Sequence, residues 1–362
     1  MNYYVQEIAC NYLKNISPEP KAVKVHPTFL YGVDKDDFLD GFLALNRLVK
    51  ELYASVVEDP ADFGMLLKEN TEYNAKNTDY TNSAASFMRV PNLLLLLGTL
   101  GELQSDHTLI LTGKKLLASA KELKITGLPL LLSKLGAYGL ITEGYSKTLK
   151  ETDLLRASCP DSPFLTVALK AMAQAMLTLN KGDLKKAKNY FYMLHEGLLE
   201  KEEVKAPKLT VDHIYNALDS EKKEVAKALN EMVSSTCKYA IRMGGFSRND
   251  WSCVYTDTKS KKVLMSLQVE QEKLTAKLNL QNIAKYMEKV MTFPQSILHT
   301  MKTSGWECGA CREGCSGGFA FEMEGKAYNK CRCGSFLFPE ISAKELSYYK
   351  EMLDLERSVE VL

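Results

Sequence analysis

The cysteines are distributed very unevenly along the chain, and this distribution constrains the fold more than any other feature. Of the 9 cysteines, five fall within the stretch WECGACREGCSGGFAFEMEGKAYNKCRCGSFLF at 306–338: Cys308, Cys311, Cys315, Cys331 and Cys333. The other four lie singly at distant positions: Cys10, Cys159, Cys237 and Cys253. Two tight cysteine groups thus flank a segment in which apolar and polar residues alternate around Glu324-Gly325-Lys326. The pattern predicts a β-hairpin whose two ends carry thiolate ligands for a metal ion.

The cellular compartment decides whether clustered cysteines pair with each other or bind metal. The N-terminal sequence MNYYVQEIACNYLKN lacks the basic segment and the following apolar run of a secretory signal. No segment approaches the roughly 20 uninterrupted apolar residues that cross a bilayer. We therefore expect a cytoplasmic protein without membrane contact. In that reducing environment clustered cysteines bind metal more often than they form disulfides.

The two cysteine groups differ in their internal spacing. Cys308 and Cys311 form a Cys-x-x-Cys turn, which lets two sulfur atoms converge on one ion. Cys331 and Cys333 form a Cys-x-Cys pair further along the chain. This arrangement resembles the cysteine knuckles of zinc ribbons, and the resemblance implies a zinc ion bound by four thiolates.

Five cysteines are available for four ligand positions, so three assignments remain open. The first ligand set consists of Cys308, Cys311, Cys331 and Cys333. The second combines Cys308, Cys311 and Cys315 with one cysteine of the later pair. In the third, a fifth cysteine stays free for redox chemistry. The alternatives to zinc are an iron–sulfur cluster, which also takes four thiolates, and cysteines that bind no metal and are free or in disulfides.

The chemistry of such a site favours a structural role. Four sulfur ligands close the coordination sphere of zinc and leave no position for a reacting water molecule. Six aromatic residues lie near the cysteines in sequence: Trp306, Phe319, Phe321, Tyr328, Phe336 and Phe338. They favour a small core that covers the hairpin. The alternative is a base-stacking surface for single-stranded nucleic acid, which the nearby Arg312, Lys326, Lys330 and Arg332 would support.

The length of the chain, 362 residues, indicates more than one domain. The charged, proline-containing segment KEEVKAPK at 201–208 marks the main boundary. We predict a helical N-terminal segment at 1–84, a helical domain at 85–200 and an α+β domain at 209–362 that includes the cysteine hairpin at 306–338. The formal net charge is +1, so any surface that binds nucleic acid would have to be local.

The domain at 85–200 begins with a distinctive order of elements. Apolar periodicity predicts helices at 87–103, 109–123 and 128–135, with a turn at KITGLP before the third and a short strand after Gly139. A helix, a turn and a second helix that ends in Leu-Gly-x-x-Gly-Leu-Ile resemble a winged helix-turn-helix. The resemblance implies a recognition helix at 128–135 that contacts double-stranded DNA, followed by a wing.

Charge and composition of this winged-helix-like element favour different functions. Seven lysines lie between 114 and 150, and lysines neutralise phosphates. The third helix, however, is mostly apolar and has only Ser133 and Lys134 as polar residues, whereas base readout uses Arg, Asn or Gln. We therefore expect this helix to be buried, and the element to serve packing or partner binding more than DNA contact.

The second half of the chain is predicted to contain a sheet. A helix is expected at 222–241, followed by three strands at 251–256, 263–269 and 273–280 with short polar connections. Alternating residues in these strands indicate an antiparallel meander with one face exposed to solvent. Helices are expected again at 281–291 and 343–355. The fold class is therefore α+β, with a mainly helical N-terminal half.

Motifs for catalysis do not stand out. The sequence has no P-loop, no GxGxxG after a strand, no HExxH and no GxSxG, and no carboxylate or histidine pair marks an acid–base site. We assign no catalytic residue and expect binding more than enzymatic activity. The sequence predicts a zinc-binding cytoplasmic protein of unspecified activity. One hypothesis for its function is a DNA-binding transcription regulator that acts through the winged-helix-like element. The alternative is a protein- or small-molecule-binding module with a structural zinc and no DNA contact.

Overall fold

The computed structural model divides the chain into two compact units, residues 1–208 and 209–362. The structure describes residues 2–17, 19–69, 78–186, 189–207, 209–243, 251–270, 273–305, 307–308, 317–331, 336–339 and 341–359. The N-terminal segment predicted at 1–84 and the helical domain predicted at 85–200 both lie within the first unit. Helices and sheets occur in both units, which confirms the α+β class.

The first unit is mainly helical. Its helices and strands are α1 (Tyr4–Asn15), α2 (Lys35–Glu58), α3 (Thr78–Phe87), α4 (Arg89–Leu100), β1 (Glu102–Leu103), β2 (Leu109–Thr112), α5 (Gly113–Glu122), α6 (Leu128–Ala137), β3 (Ile141–Glu143), β4 (Leu154–Ser158), α7 (Leu165–Leu179) and α8 (Asn189–Tyr192), with 3-10 turns at Pro27–Phe29, Pro60–Phe63 and Glu196–Leu199. The apolar helix α7 packs against both α2 and α4. A methyl group at Gly41 of α2 would lie 2.2 Å from the carbonyl oxygen of Phe164, so the helices can approach this closely only because residue 41 has no side chain.

A four-stranded antiparallel sheet follows α4, with the strand order β1-β2-β4-β3. The predicted helix at 109–123 is wrong over its first four residues, because Leu109–Thr112 forms β2 instead. Leu109 and Leu111 are buried while the residues between them are partly exposed, which is the alternation of a strand. Thr112 then caps α5, its hydroxyl accepting from the backbone N–H of Lys115.

Local composition does not reveal two other parts of the first unit. The polar stretch at 68–83 is helical from Thr78 onward. In the described part of 183–199, only α8 and a 3-10 turn are helical. Leu194 between them has a left-handed backbone (φ 49°), which interrupts the helix.

By length and composition alone, the stretch Thr78–Leu100 among the described residues could cross a membrane. Its most apolar window is 78% buried inside the protein. A core helix of a folded unit has the same properties, so the stretch is weak evidence for a membrane span.

Arg89, at the start of α4, is a buried cation that joins three segments of the first unit. Its guanidinium donates to the carbonyl oxygens of Phe63 (3.1 Å) and Gly64 (2.7 Å) and to the carbonyl and hydroxyl of Thr126 (3.2 and 3.3 Å). It also donates to the Ser86 carbonyl. Burial lowers the pKa of the Arg89 guanidinium. The turn before α6 and the turn at 63–64 are thus held to the beginning of α4.

The second unit is built around one large sheet. Its helices and strands are α9 (Asp212–Asn216), α10 (Ser220–Ser234), β5 (Cys237–Met243), β6 (Trp251–Asp257), β7 (Val263–Glu270), β8 (Lys273–Leu278), α11 (Met287–Val290), α12 (Gln295–Thr303), β9 (Gly318–Met323), β10 (Lys326–Cys331), β11 (Phe336–Phe338) and α13 (Leu346–Val359), with 3-10 turns at Ile283–Tyr286 and Ala343–Glu345. The predicted three-stranded sheet is wrong in strand number. The sheet has five antiparallel strands in the order β11-β8-β7-β6-β5.

The two additional strands have different origins. β5 comes from the end of the predicted helix at 222–241, which stops at Ser234. All seven residues of β5 pair with β6, and this long-range pairing outweighs local helix preference. β11 lies at the end of the stretch predicted as the cysteine hairpin, 306–338, but it pairs with β8 and not with the hairpin strands. One face of the sheet holds the buried residues Cys253, Met265 and Leu278, and the other is partly exposed, as the alternation predicted.

Replacement of Arg89 by Met tests the importance of this cation for the first unit. Arg89→Met removes the donor shared by the carbonyl groups at 63, 64 and 126, of which the one at Phe63 is buried. The free energy of unfolding should fall by about 2 kcal/mol. The exposed Arg47 of α2 provides a matched control, and Arg47→Met should change it by less than about 0.5 kcal/mol. Urea unfolding followed by circular dichroism measures both.

Tryptophan fluorescence separates this effect from global damage, because both tryptophans, Trp251 and Trp306, belong to the second unit. We expect the fluorescence transition of Arg89→Met to keep the wild-type midpoint. Equal stability of the Arg89→Met and Arg47→Met proteins would contradict the structural role of Arg89.

Candidate functional site

The cysteine hairpin is formed by β9 and β10, which pair in register from Gly318–Cys331 to Met323–Lys326. The two residues of the turn, Glu324 and Gly325, have φ values of 52° and 73°. Both are left-handed, as a two-residue hairpin turn of type I′ requires. The hairpin that the sequence predicted around these residues is therefore present.

The aromatic residues lie on one face of the hairpin. Phe319 and Phe321 of β9 are buried, and each is 5.7 Å from Phe336 of β11 between ring centroids. Phe321 also stacks on Tyr328 of β10, with centroids 5.3 Å apart and the ring planes 11° apart. Phe338 is buried as well. Among the predicted aromatic residues, Trp306 lies outside the described residues, and the others form a small core rather than an exposed stacking surface.

Cys331 lies on the opposite face of the hairpin. Directly paired residues of an antiparallel ladder point to the same face, and Cys331 pairs with Gly318 next to Phe319. We call this the glycine face. Cys331 is only 2% exposed and is not in a disulfide.

Cys308 is brought to the glycine face by the chain before the hairpin. Glu307 forms an antiparallel bridge with Lys330, and the N–H of Cys308 donates to the carbonyl of Asn329 at 2.7 Å. A methyl group added to Gly318 would lie 2.8 Å from the Cβ of Cys308. The side chain of Cys308 therefore occupies the space above Gly318, on the face that carries Cys331.

Both cysteines lie next to Gly318. Cys331 is the ladder partner of Gly318, so their Cα atoms are about 4.5–5.5 Å apart, and the Cβ of Cys308 lies close to the same glycine. Two sulfurs on one zinc lie at most about 4.6 Å apart, since each Zn–S bond is about 2.3 Å. Cys308 comes from the first cysteine group and Cys331 from the second, so the fold brings the two groups together.

Cys311, Cys315 and Cys333 lie outside the described residues. Among the residues that are described, no group of three or more His, Cys, Asp or Glu side chains could hold a metal ion. The zinc prediction therefore stays a prediction, with two of its five cysteines located next to Gly318.

Lys330 directly precedes Cys331 in the sequence, and its side chain is buried. It is 3% exposed. Its ammonium group donates to the carboxylate of Glu307 at 2.7 Å and to the carbonyl of Lys302 at 3.1 Å. It thus ties the segment that carries Cys308 to the strand that carries Cys331. A cation within an alternating strand next to a cysteine looks like a surface residue in sequence, and only the fold reveals its burial.

The third helix of the winged-helix-like element, α6, is a second candidate surface. Its inward side is buried through Leu131, Leu132 and Leu135, as its composition predicted. Its outward positions are Leu130, which is 41% exposed, Ser133 and Ala137.

The single cation of α6 is already engaged. Lys134 forms an ion pair with Asp62, and its ammonium lies 5.9 Å from the ring centroid of Phe63. The outward side of α6 is therefore apolar or small, and this helix presents none of the Arg, Asn or Gln side chains used in base readout.

A small polar cleft of about 210 Å³ borders the large sheet and contains Glu356 at its base. The carboxylate of Glu356 accepts hydrogen bonds from the N–H and the side-chain amide of Asn282 and from the hydroxyl of Tyr286 at 2.6 Å. These bonds fasten α13 to the start of the neighbouring 3-10 turn. The cleft is thus explained by packing, and its residues give no catalytic arrangement.

Comparisons with known proteins add no relative to this description. No protein-family model, no curated protein and no solved structure matches the chain.

Substitution of Gly318 tests the placement of Cys308. Gly318→Ala would push against the Cβ of Cys308 and the backbone oxygen of Lys330, which lie 2.8 Å from the new methyl group. We expect the thiol of Cys308 to become more reactive toward a maleimide reagent, because it is displaced from the glycine face.

Gly325→Ala is the matched control in the same hairpin. Nothing lies within 4 Å of a methyl group there, although the left-handed backbone (φ 73°) is strained by any side chain. It should lower the stability of the hairpin by roughly 1–2 kcal/mol without a specific change at Cys308. Mass spectrometry of labelled peptides reports the reactivity. Equal labelling of Cys308 in both variants would show that Gly318 does not control its position.

Proposed function

We propose that this chain is a binding protein whose second unit is cross-linked by a structural zinc ion. The observation that carries the proposal is the convergence of Cys308 and Cys331 over Gly318. It supports the ligand set of Cys308, Cys311, Cys331 and Cys333, and equally the set with Cys315 in which Cys331 is the fourth ligand. An iron–sulfur cluster with the same thiolates is the minor alternative.

The zinc ion would act as a cross-link in this proposal. Bound by four thiolates, zinc has no open position for water, so no chemical step is assigned to it. Cys308 precedes the hairpin and Cys331 ends it, so shared coordination would close the segment between them. The cross-link would stabilise a hairpin whose strands form no backbone pairs with the five-stranded sheet.

We further propose that the first unit contains a winged-helix-like element used for protein binding. The order α4, β2, α5, α6, β3 and β4, with β4 between β2 and β3, supports the likeness in topology. The apolar outward side of α6 favours a protein partner over DNA bases, because Leu130 and Ala137 offer no hydrogen bonds. The partner class is thus a protein with an apolar contact surface.

A DNA-binding transcription regulator is the second candidate. Its support is the exposed Lys114, Lys147 and Lys150 at the start of α5 and in the connection between β3 and β4. The N–H of Lys114 donates to the carbonyl of Glu151, so α5 begins beside this connection. These lysines suit phosphate contacts, which give affinity without sequence recognition.

Metal analysis tests the zinc proposal directly. Elemental analysis of the purified protein should give one zinc per chain, and thiol counting should show one reactive cysteine among the five in the hairpin region. Cys331→Ser should remove most of the zinc, because a serine hydroxyl is a far weaker zinc ligand than a thiolate. Cys10→Ser changes an isolated cysteine of the first unit and should retain it. A protein that is free of metal, colourless and reactive at all five thiols rules the proposal out.

A gel shift with generic duplex DNA distinguishes the two roles of the first unit. We expect no discrete complex at physiological salt, because α6 offers no base-reading side chains. Phosphate contacts through the lysines would give a shift only at low salt that fades as the salt concentration rises. A complex that survives physiological salt and weakens on Ser133→Ala would instead favour sequence recognition by α6.

A further inference from the structure

Lys330 is the only residue whose side chain, among the described contacts, links the segment before the hairpin to β10 by an ion pair. The cost of burying an ammonium group is large unless its hydrogens are matched by acceptors. Here the carboxylate of Glu307 and the carbonyl of Lys302 provide acceptors, and the ring of Tyr328 lies 5.8 Å from the ammonium nitrogen. An apolar residue could fill the same space without the desolvation cost of an ammonium group. The charge of Lys330 is therefore better explained by the groups that it holds in position than by a gain in stability.

The hydrogen bond from Lys330 to the carbonyl of Lys302 holds the end of α12, from which the chain continues toward Cys308. Lys302 belongs to the last turn of α12, where carbonyl groups have no donor within the helix. A cation at this end also interacts favourably with the helix dipole. Lys330 thus fixes the end of α12, and Cys308 follows only five residues after the last helical residue, Thr303.

The short segment from 304 to 308 is attached at three points. The hydroxyl of Ser304 accepts from the N–H of Leu337 at 3.2 Å, and the N–H of Cys308 donates to Asn329. The Glu307–Lys330 pair lies between these two attachments along the chain. Lys330 itself is on the aromatic face, because it pairs with Phe319, so its side chain acts on Cys308 through the backbone rather than by contact with the thiol.

We propose that Lys330 is a positioning residue of the metal site, which holds Cys308 over Gly318 so that its thiolate and that of Cys331 meet one zinc ion. The inference rests on the proposed zinc function and adds the group that preorganises it. Residues that orient metal ligands from outside the coordination sphere change metal affinity by about 10–100-fold when they are replaced.

Lys326 provides a control that closely matches Lys330. It is a lysine of the same strand, and its ammonium lies 5.3 Å from the same Tyr328 ring. It is exposed, however, and it pairs with Met323 at the turn end of the hairpin, away from Cys308. Lys326→Met and Lys330→Met therefore make the same chemical change at the same ring, and only Lys330→Met removes the link to the Cys308 segment.

The test compares zinc affinity in the full-length wild-type, Lys330→Met and Lys326→Met proteins by competition with a chromophoric chelator. Affinity should fall by about 10–100-fold in Lys330→Met and by about twofold or less in Lys326→Met. Glu307→Gln, which keeps Lys330 and the cap of α12, should give an intermediate loss and serves if Lys330→Met fails to fold. Cobalt substitution adds a second reading: the Lys330→Met complex should keep the sulfur-to-cobalt charge-transfer bands of wild type, because the ligands are unchanged.

The outcomes distinguish a failure of the proposed zinc function from a failure of the positioning role of Lys330. Wild-type protein that binds neither zinc nor cobalt overturns the proposed function and this inference with it. Zinc binding by wild type with equal affinity in Lys330→Met, or an equal loss in both methionine variants, overturns the positioning role alone. Altered cobalt bands in Lys330→Met would also overturn it, because they would make Lys330 a determinant of which ligands bind.

Discussion

Main-chain carbonyl groups at helix ends and turns lack donors within their own element, and in both units a lysine or arginine side chain from elsewhere in the chain supplies them. Arg89 donates to carbonyls at 63, 64 and 126, and Lys330 donates to the carbonyl of Lys302. Lys170 of α7 does the same for Thr99 and Gly101 at the end of α4, and burial lowers its pKa. Because their acceptors lie far away in sequence, these cations join segments that local hydrogen bonding leaves separate.

The candidate metal site depends on how the two faces of the hairpin are occupied. A hairpin with one aromatic face has its core on one side, and its other face has little apolar material to bury. In this chain the glycine face instead receives Cys308, since residue 318 has no side chain to exclude it. A metal ion is an efficient cross-link in such a place, because it needs only a few correctly placed thiolates rather than a large buried area. Lys330 then links the aromatic face to the backbone that presents Cys308.

Several elements could be predicted from local sequence because local and tertiary preferences agree there. The strands at 263–270 and 273–278 alternate apolar and polar residues, and the turn at Glu324-Gly325 has the glycine that its backbone requires. Other elements were missed because tertiary pairing decided them. Residues 237–243 form an edge strand only because β6 lies beside them, and Leu109–Thr112 leaves helical periodicity to pair with β4.

The sequence by itself determined the chemistry of the candidate site: clustered thiols in two groups, with a hairpin between them, in a chain without catalytic motifs. It also determined that α6 carries no Arg, Asn or Gln side chain, because composition alone decides which donors a helix can offer. Only the tertiary structure decided that Cys308 and Cys331 share one face and that Lys330 is buried. Both facts depend on the register of β9 against β10 and on the bridge from Glu307, and a one-residue shift in either would turn a side chain to the opposite face.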